Sequence, residues 1–139
     1  MSTLGLGNDG LYNVDFTEYA ATHYVKDFAR KYGRAWEVTR RAIIASLQRA
    51  DYLLDTSKLV KIHERNGLSI AKFEFVVAGR KESAKTSGNR AIVFINNELH
   101  SVDILLVYSK NDICSPNETQ KWQNIIKDNH PNIWNHFFS

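Results

Sequence analysis

Aromatic residues recur at helical spacing near the start of the chain. Tyr24, Phe28 and Tyr32 follow one another every four residues, which places all three on one face of a helix. We expect this helix to begin near Asp15, a residue type that caps helix starts, and to end at Gly33, which suits a helix stop. The pattern therefore predicts a first helix between these two residues.

A second apolar stripe at helical spacing follows Gly33, and three arginines lie largely off it. The stripe consists of Trp36, Ile43, Ile44, Leu47 and Leu54. Two amphipathic helices joined by a short connection pack side by side. The sequence therefore predicts an N-terminal antiparallel αα-hairpin.

After the second helix the apolar period changes from helical to alternating. Val60 and Ile62 alternate with charged or polar residues and predict one strand, and Asn66 and Gly67 predict a tight hairpin turn after it. Alternation over residues 71–77 then predicts a longer strand. The change of period indicates that a sheet follows the helices.

Further elements are predicted at both ends of this sheet. Residues 11–14 form a short first strand, and residues 90–96 and 102–109 form a last hairpin, whose apolar faces are typical of buried strands. Residues 115–118 are a capping box that starts a final helix, which ends at Pro131. The predicted fold class is α+β: an antiparallel β-sheet of four to five strands packed against the N-terminal αα-hairpin, with a C-terminal helix.

Composition fits one folded domain: the chain has 139 residues, of which 43% are hydrophobic. We expect residues 1–10 to be a mobile N-terminus, residues 11–128 to form the domain and residues 129–139 to be a C-terminal tail. No apolar run approaches the roughly 20 residues that span a bilayer, so we expect a cytoplasmic protein without membrane contact. Net charge is only +3, but residues 80–90 hold four Lys or Arg and one acid, which favours a local anion-binding surface.

The stretch from residue 85 to residue 118 carries the most specific pattern in the chain. It reads KTSGNRAIVFINNELHSVDILLVYSKNDICSPNE: a basic loop, a strand starting at Arg90, a second strand ending at Lys110, and a capped helix start. In its order this stretch resembles the RelE/ParE/HigB superfamily of type II toxin–antitoxin toxins, and RelE-like members in particular. The resemblance extends over about residues 11–128.

The resemblance implies a toxin that acts as an endoribonuclease, cleaving mRNA on the ribosome by attack of the RNA's own 2′-hydroxyl, with no metal or other cofactor. It also implies a cognate antitoxin as protein partner, beside mRNA and the ribosome. Two alternatives stay open. ParE-like members inhibit DNA gyrase by binding it and cleave no RNA, and an inactive homologue would keep the fold without the activity.

Cationic groups at the two ends of the last hairpin are the main candidates for chemistry. Arg90 matches the family's strand-starting arginine, and a guanidinium holds a phosphate through two parallel hydrogen bonds. We expect no metal site. The predicted catalytic set is Arg90, Lys110, Lys85 and His63, and the predicted RNA-binding set is Lys81, Arg80 and Tyr108.

Structural interpretations stand beside these functional ones. Arg90 would pair with a nearby acid, and Tyr108 would be a core aromatic, because Ile104 and Leu106 lie on its face of the strand. His136, in the tail, is a second imidazole candidate for acid–base work. If Arg90 is an exposed strand-start residue, Arg90→Ala should cost no more than about 0.5 kcal/mol of stability and a factor of about 10²–10³ in rate.

Overall fold

The computed structural model describes residues 10–54, 56–109 and 117–138, with the side chain of Lys85 excepted. Helix α1 comprises Glu18–Ala20, the π-helical turn Ala21–Val25 and Lys26–Tyr32 in succession. The other elements, in chain order, are β1 (Asn13–Phe16) before α1, then α2 (Arg34–Leu47), α3 (Ala50–Leu53), β2 (Leu59–Arg65), β3 (Leu68–Phe75), α4 (Ala84–Ser87), β4 (Asn89–Asn96), β5 (Ser101–Ser109), α5 (Glu118–Asn129) and α6 (Pro131–Phe138). Among the described helices, none is both long and apolar enough to cross a bilayer.

The five strands form one sheet in the order β1-β5-β4-β3-β2. The predicted antiparallel arrangement is confirmed for β2, β3, β4 and β5, which follow one another as a meander. It is wrong for β1, which runs parallel to β5, with Asn13 opposite Ser101 and Phe16 opposite Ile104. Tight turns enforce antiparallel pairing only between strands that they join, and most of the chain separates β1 from β5.

The start of α1 differs from the prediction by one short element. Asp15 lies inside β1, opposite Asp103, so it is not the helix cap. Thr17 takes that role, and its side-chain oxygen accepts a hydrogen bond of 3.1 Å from the backbone N–H of Ala20. The predicted helix stop at Gly33 is confirmed, since this residue adopts a φ of +57° between α1 and α2.

The second helix is shorter than its apolar stripe predicts. Its buried residues Trp36, Ile43 and Leu47 are confirmed as core, but α2 ends at Leu47 and α3 is a separate turn. The carbonyl of Gln48 accepts a hydrogen bond from Tyr12 N–H at 2.9 Å, instead of the bond that a continuing helix would supply. Pairing with the N-terminal segment therefore interrupts the helix.

Strand β2 contains a β-bulge that changes which side chains face inward. Lys61 pairs with Ala71 and His63 with Ile70, so Ile62 is an extra residue. Leu59 is buried, whereas Val60 is 43% exposed. The predicted strand is confirmed, and Leu59 rather than Val60 is the buried residue at its start.

Both faces of the sheet are covered by helices. On the first face, α1 and α2 pack on the sheet; this core includes Phe28, Trp36, Ile43, Leu47, Phe73, Phe75, Val93 and Val107. On the second face, α5 and α6 pack on the sheet; this core includes Ile70, Ile92, Leu106, Tyr108, Trp122 and Ile126. Residues 131–138, within the predicted tail, form α6 and contribute four aromatic or aliphatic side chains to this second core.

His130 joins α5 to α6 and is half-buried. Burial lowers the pKa of His130 from its ordinary value of 6.5, against the opposing effects of a hydrogen bond with the Leu105 backbone and of the Asp103 charge. The ring also packs edge-on against Tyr19, with 5.5 Å between centroids. The folded protein therefore favours the neutral imidazole.

We expect stability to fall as the pH decreases below about 6.5, because the unfolded chain then binds a proton that folded His130 resists. Burial raises the pKa of Asp103, and the charge of Asp15 raises it further. Protonation of Asp103 therefore affects stability at lower pH and with the opposite sign. Thermal melts between about pH 8 and pH 5.5 test this. A His130→Asn variant should show a smaller decrease in melting temperature than the wild type, and equal decreases would contradict the assignment.

Candidate functional site

Arg90 lies in a cluster of charged and polar side chains on the second face of the sheet. Register brings Glu74 of β3, Arg90 of β4 and Tyr108 of β5 side by side. Arg90 Nη2 lies 3.1 Å from Glu74 Oε2, and Arg90 Nε lies 3.2 Å from Glu118 Oε2 at the start of α5. The Tyr108 hydroxyl donates a hydrogen bond of 2.6 Å to the same Glu118 oxygen. The cluster thus ties three strands and one helix together.

This cluster is largely withdrawn from solvent. The side chains of Arg90, Glu74 and Glu118 are 11%, 12% and 21% exposed. Arg90 is therefore not the exposed strand-start residue that the sequence suggested, and the small stability cost predicted on that basis no longer follows. One guanidinium faces two carboxylates, so its positive charge is more than offset, and Nη1 has no hydrogen-bond partner among the described residues.

Tyr108 belongs to the second core, and its ring is 2% exposed. Burial, then the hydrogen bond to Glu118, raises the pKa of the Tyr108 hydroxyl well above its usual range. The hydroxyl therefore stays protonated and acts as a donor within the cluster. With its ring buried, Tyr108 offers little surface to an RNA strand, although it borders a cavity beside α1, and its predicted role in RNA binding stays a prediction.

An open groove of about 480 Å³ adjoins the cluster on the same face. It is lined by Ser57, Lys58, Val60, Lys72, Glu74, Ser83 and Ala84. Among the described residues, neither lysine of this lining has an ion-pair partner. Glu74 belongs both to the lining and to the ion pair with Arg90, so Arg90 lies directly behind the groove wall. We call this feature the lysine groove.

The lysine groove contains two cations that sequence reasoning did not select. Lys72 lies on the same face of β3 as Ile70 and Glu74, a pattern that marks a strand face but no function. Lys58 precedes β2 and reaches the same groove because Leu59 pairs with Phe73. Their proximity depends on strand register, and only a prediction of that register could have brought Lys72 and Arg90 together.

The predicted basic loop lies between the lysine groove and the other face of the sheet. Lys81 is exposed on this loop, and the Arg80 guanidinium stacks 5.3 Å above the Tyr32 ring on the α1 side. Lys85 lies in α4, directly after Ala84 of the groove lining; only its backbone is described. Lys110 lies outside the described residues. Among these predicted cations, Arg80 is the one whose described side chain has a defined place, on the α1 side of the loop.

Neither candidate imidazole lies near Arg90. His63 pairs with Ile70, four residues or about 13 Å along β3 from Glu74, and its ring packs edge-on against Phe138 at 4.7 Å. His136 Nε2 lies 3.0 Å from the Arg65 carbonyl, a contact that docks α6 on β2. Within the described residues, no group of three or more His, Cys, Asp or Glu is arranged to hold a metal ion.

Comparisons with known proteins give one distant likeness. No family model and no curated protein matches this sequence. Among solved structures, the chain is similar to a chain of the archaeal RelE–RelB complex from Pyrococcus horikoshii OT3, with a TM-score of 0.46 and 14% identity over 72% of this chain and 96% of that chain. At this distance the likeness does not decide the activity, which depends on the side chains of this protein.

Proposed function

We propose that this protein is a RelE-like toxin of a type II toxin–antitoxin system, and that it cleaves mRNA in the lysine groove. The observation that carries the proposal is the groove itself, where two lysines and one carboxylate adjoin the Arg90 that the RelE-like pattern singles out. Lysine ammonium groups neutralise phosphate charge, and a carboxylate can accept a proton. The proposal includes a cytoplasmic setting, a ribosome-bound substrate and a cognate antitoxin, all from the sequence resemblance.

The proposed reaction uses groups that line the groove. Glu74 accepts the proton of the RNA 2′-hydroxyl as the 2′-oxygen bonds to phosphorus. Lys58 and Lys72 stabilise the charge that develops on the phosphoryl oxygens. The bond from phosphorus to the 5′-oxygen then breaks, that oxygen takes a proton from water or a lysine, and a 2′,3′-cyclic phosphate remains.

In this scheme Arg90 acts through Glu74. Its guanidinium fixes the carboxylate orientation at 3.1 Å, while Glu118 and Tyr108 hold the guanidinium from the other side. Arg90 is thus a positioning residue in the described arrangement. The predicted direct contact between Arg90 and phosphate would require Glu74 or Glu118 to move away.

One observation favours a second candidate, a protein-binding toxin or an inactive homologue. Two carboxylates neutralise the charge of Arg90, and both candidate imidazoles lie away from Arg90, at the contact of β2 with α6. A ParE-like inhibitor of DNA gyrase needs the fold but no phosphate chemistry. The two candidates differ in what happens to RNA.

Induced expression without an antitoxin should arrest bacterial growth, and RNA extracted within minutes should carry discrete cuts in translated regions. Lys58→Ala and Lys72→Ala should each weaken arrest and cleavage, since each removes one cation from the groove. Lys26→Ala is the matched control, because Lys26 is exposed on α1 and lies outside the groove. Growth arrest with intact RNA and accumulating DNA breaks would select the gyrase inhibitor instead.

A further inference from the structure

A second, separate concavity follows α1 along the edge of the sheet. Strand β1 pairs with β5 only as far as Ile104. Beyond Ile104, α1 rather than another described strand lies beside the outer edge of β5. Three adjoining cavities of about 360, 50 and 280 Å³ lie there. The first two share Asp27 and Phe28, the last two share Tyr32 and Ser109, and all three share Lys31. We call this continuous feature the α1 trough.

One end of the α1 trough is aromatic. His23, Tyr24 and Phe28 line the largest cavity. The exposed His23 ring stacks on Tyr19 with 4.2 Å between centroids, so the two rings form a stacked aromatic pair at this end. The π-helical turn Ala21–Val25 carries both His23 and Tyr24, and turns of this kind occur often at functional sites.

The other end of the α1 trough is cationic. Lys31 Nζ and the Arg80 guanidinium each lie 5.3 Å from the centre of the Tyr32 ring, so one aromatic residue holds both cations at the rim. Ser87, Asn89 and the acidic residue Glu82 complete the lining there. Asp27, whose carboxylate forms an exposed ion pair with Arg30, lies between the two ends and can accept a further hydrogen bond.

From this arrangement we propose that the α1 trough binds single-stranded RNA. Aromatic platforms with flanking cations hold single strands, because every base offers a face for stacking and every nucleotide a phosphate. A base would stack beside His23 and Tyr24, its amino group would reach Asp27, and the following phosphates would contact Lys31 and Arg80. This proposal rests on the proposed function in taking RNA as the substrate.

The α1 trough and the lysine groove meet at the basic loop. Ser83 and Ala84 of the loop line the groove, whereas Arg80, Glu82 and Ser87 line the trough. A strand held in the α1 trough can therefore continue over the loop towards Glu74. The trough would fix the bases on one side of the cleaved bond.

Binding to the α1 trough is testable without cleavage. A short fluorescent RNA with 2′-O-methyl groups throughout cannot attack its own phosphate, so its anisotropy reports binding alone. Lys31→Ala and Arg80→Ala should each weaken binding and reduce the slope of log affinity against log salt by about 0.7, as expected for one lost phosphate contact on a single strand. Lys26→Ala, on the same helix but outside the trough, should leave both quantities unchanged.

The aromatic end has its own readout. His23→Ala should weaken binding about five-fold or more, since stacking contributes that much per base, and circular dichroism confirms that the variant is folded. Equal RNA affinities for the Lys31, Arg80 and Lys26 variants would overturn the proposal. Tighter binding of double-stranded than of single-stranded RNA would also overturn it, as would a trough that binds a protein partner but no RNA. Binding that depends on the α1 trough without any cleavage of unmodified RNA would refute the proposed nuclease and leave this inference standing.

Discussion

Glu74→Gln is expected to lower the rate of RNA cleavage by about 10²–10⁴-fold, the usual effect of removing a general base. The amide keeps the shape of the carboxylate but cannot accept the proton of the 2′-hydroxyl. The fold should tolerate the change, because Arg90 keeps Glu118 as a partner and the cluster then holds one cation and one anion. The measurement is single-turnover cleavage of a defined RNA, beside a thermal melt.

Glu118→Gln is the matched control for this experiment. It removes the other carboxylate from Arg90, but Glu118 does not line the lysine groove. A much smaller loss of cleavage in Glu118→Gln, whose amide oxygen can still accept from Arg90, than in Glu74→Gln would identify Glu74 as the proton acceptor. Full cleavage by a folded Glu74→Gln protein would exclude it.

Arg90→Ala should lower the free energy of unfolding by about 3–5 kcal/mol, the cost of removing one partner from a buried ion pair. Glu74 and Glu118 would be left facing each other with no cation between them, in a place where their charges are poorly solvated. Chemical denaturation measures the change. Arg30→Ala provides the contrast: its pair with Asp27 is 79% and 70% exposed, so the expected change is below about 1 kcal/mol.

This expected instability changes how an Arg90 variant is interpreted. Loss of activity in Arg90→Ala would follow from unfolding as readily as from chemistry. Arg90→Lys keeps the positive charge and loses the two-pronged contact, so it separates the two effects. A stable Arg90→Ala protein would show that the carboxylates are protonated or solvated, contrary to the geometry.

The two central strands were predictable to within a residue because they are apolar on both faces and bounded by polar residues. Strands β4 and β5 match the predicted residues 90–96 and 102–109 closely. Val60 is exposed because it lies opposite Lys72 in the lysine groove, and alternation alone does not tell which part of a strand face is covered. Edge strands follow local pattern less strictly, since part of their surface meets solvent.

The candidate site was predictable only in part. A short motif singled out Arg90, but the partners that decide its chemistry come from other elements. Glu74 stands beside it through the pairing of β3 with β4, across a connection whose length does not fix the register. Glu118 is the first residue of α5, which follows a segment that the structure does not describe. Such contacts follow from tertiary packing, which single-residue preferences do not encode.

The parallel pairing of β1 with β5 has a consequence for the order of folding during synthesis. The helical hairpin can form as soon as α1 and α2 leave the ribosome, because its contacts are local. Strand β1 has no partner until β5 has been made, and even the backbone N–H of Thr17, at the start of α1, bonds the carbonyl of Ile104. Closing such a long loop is entropically costly. The first strand to be synthesised is thus the last to be secured, and nascent chains should stay protease-sensitive at their N-terminus until β5 emerges.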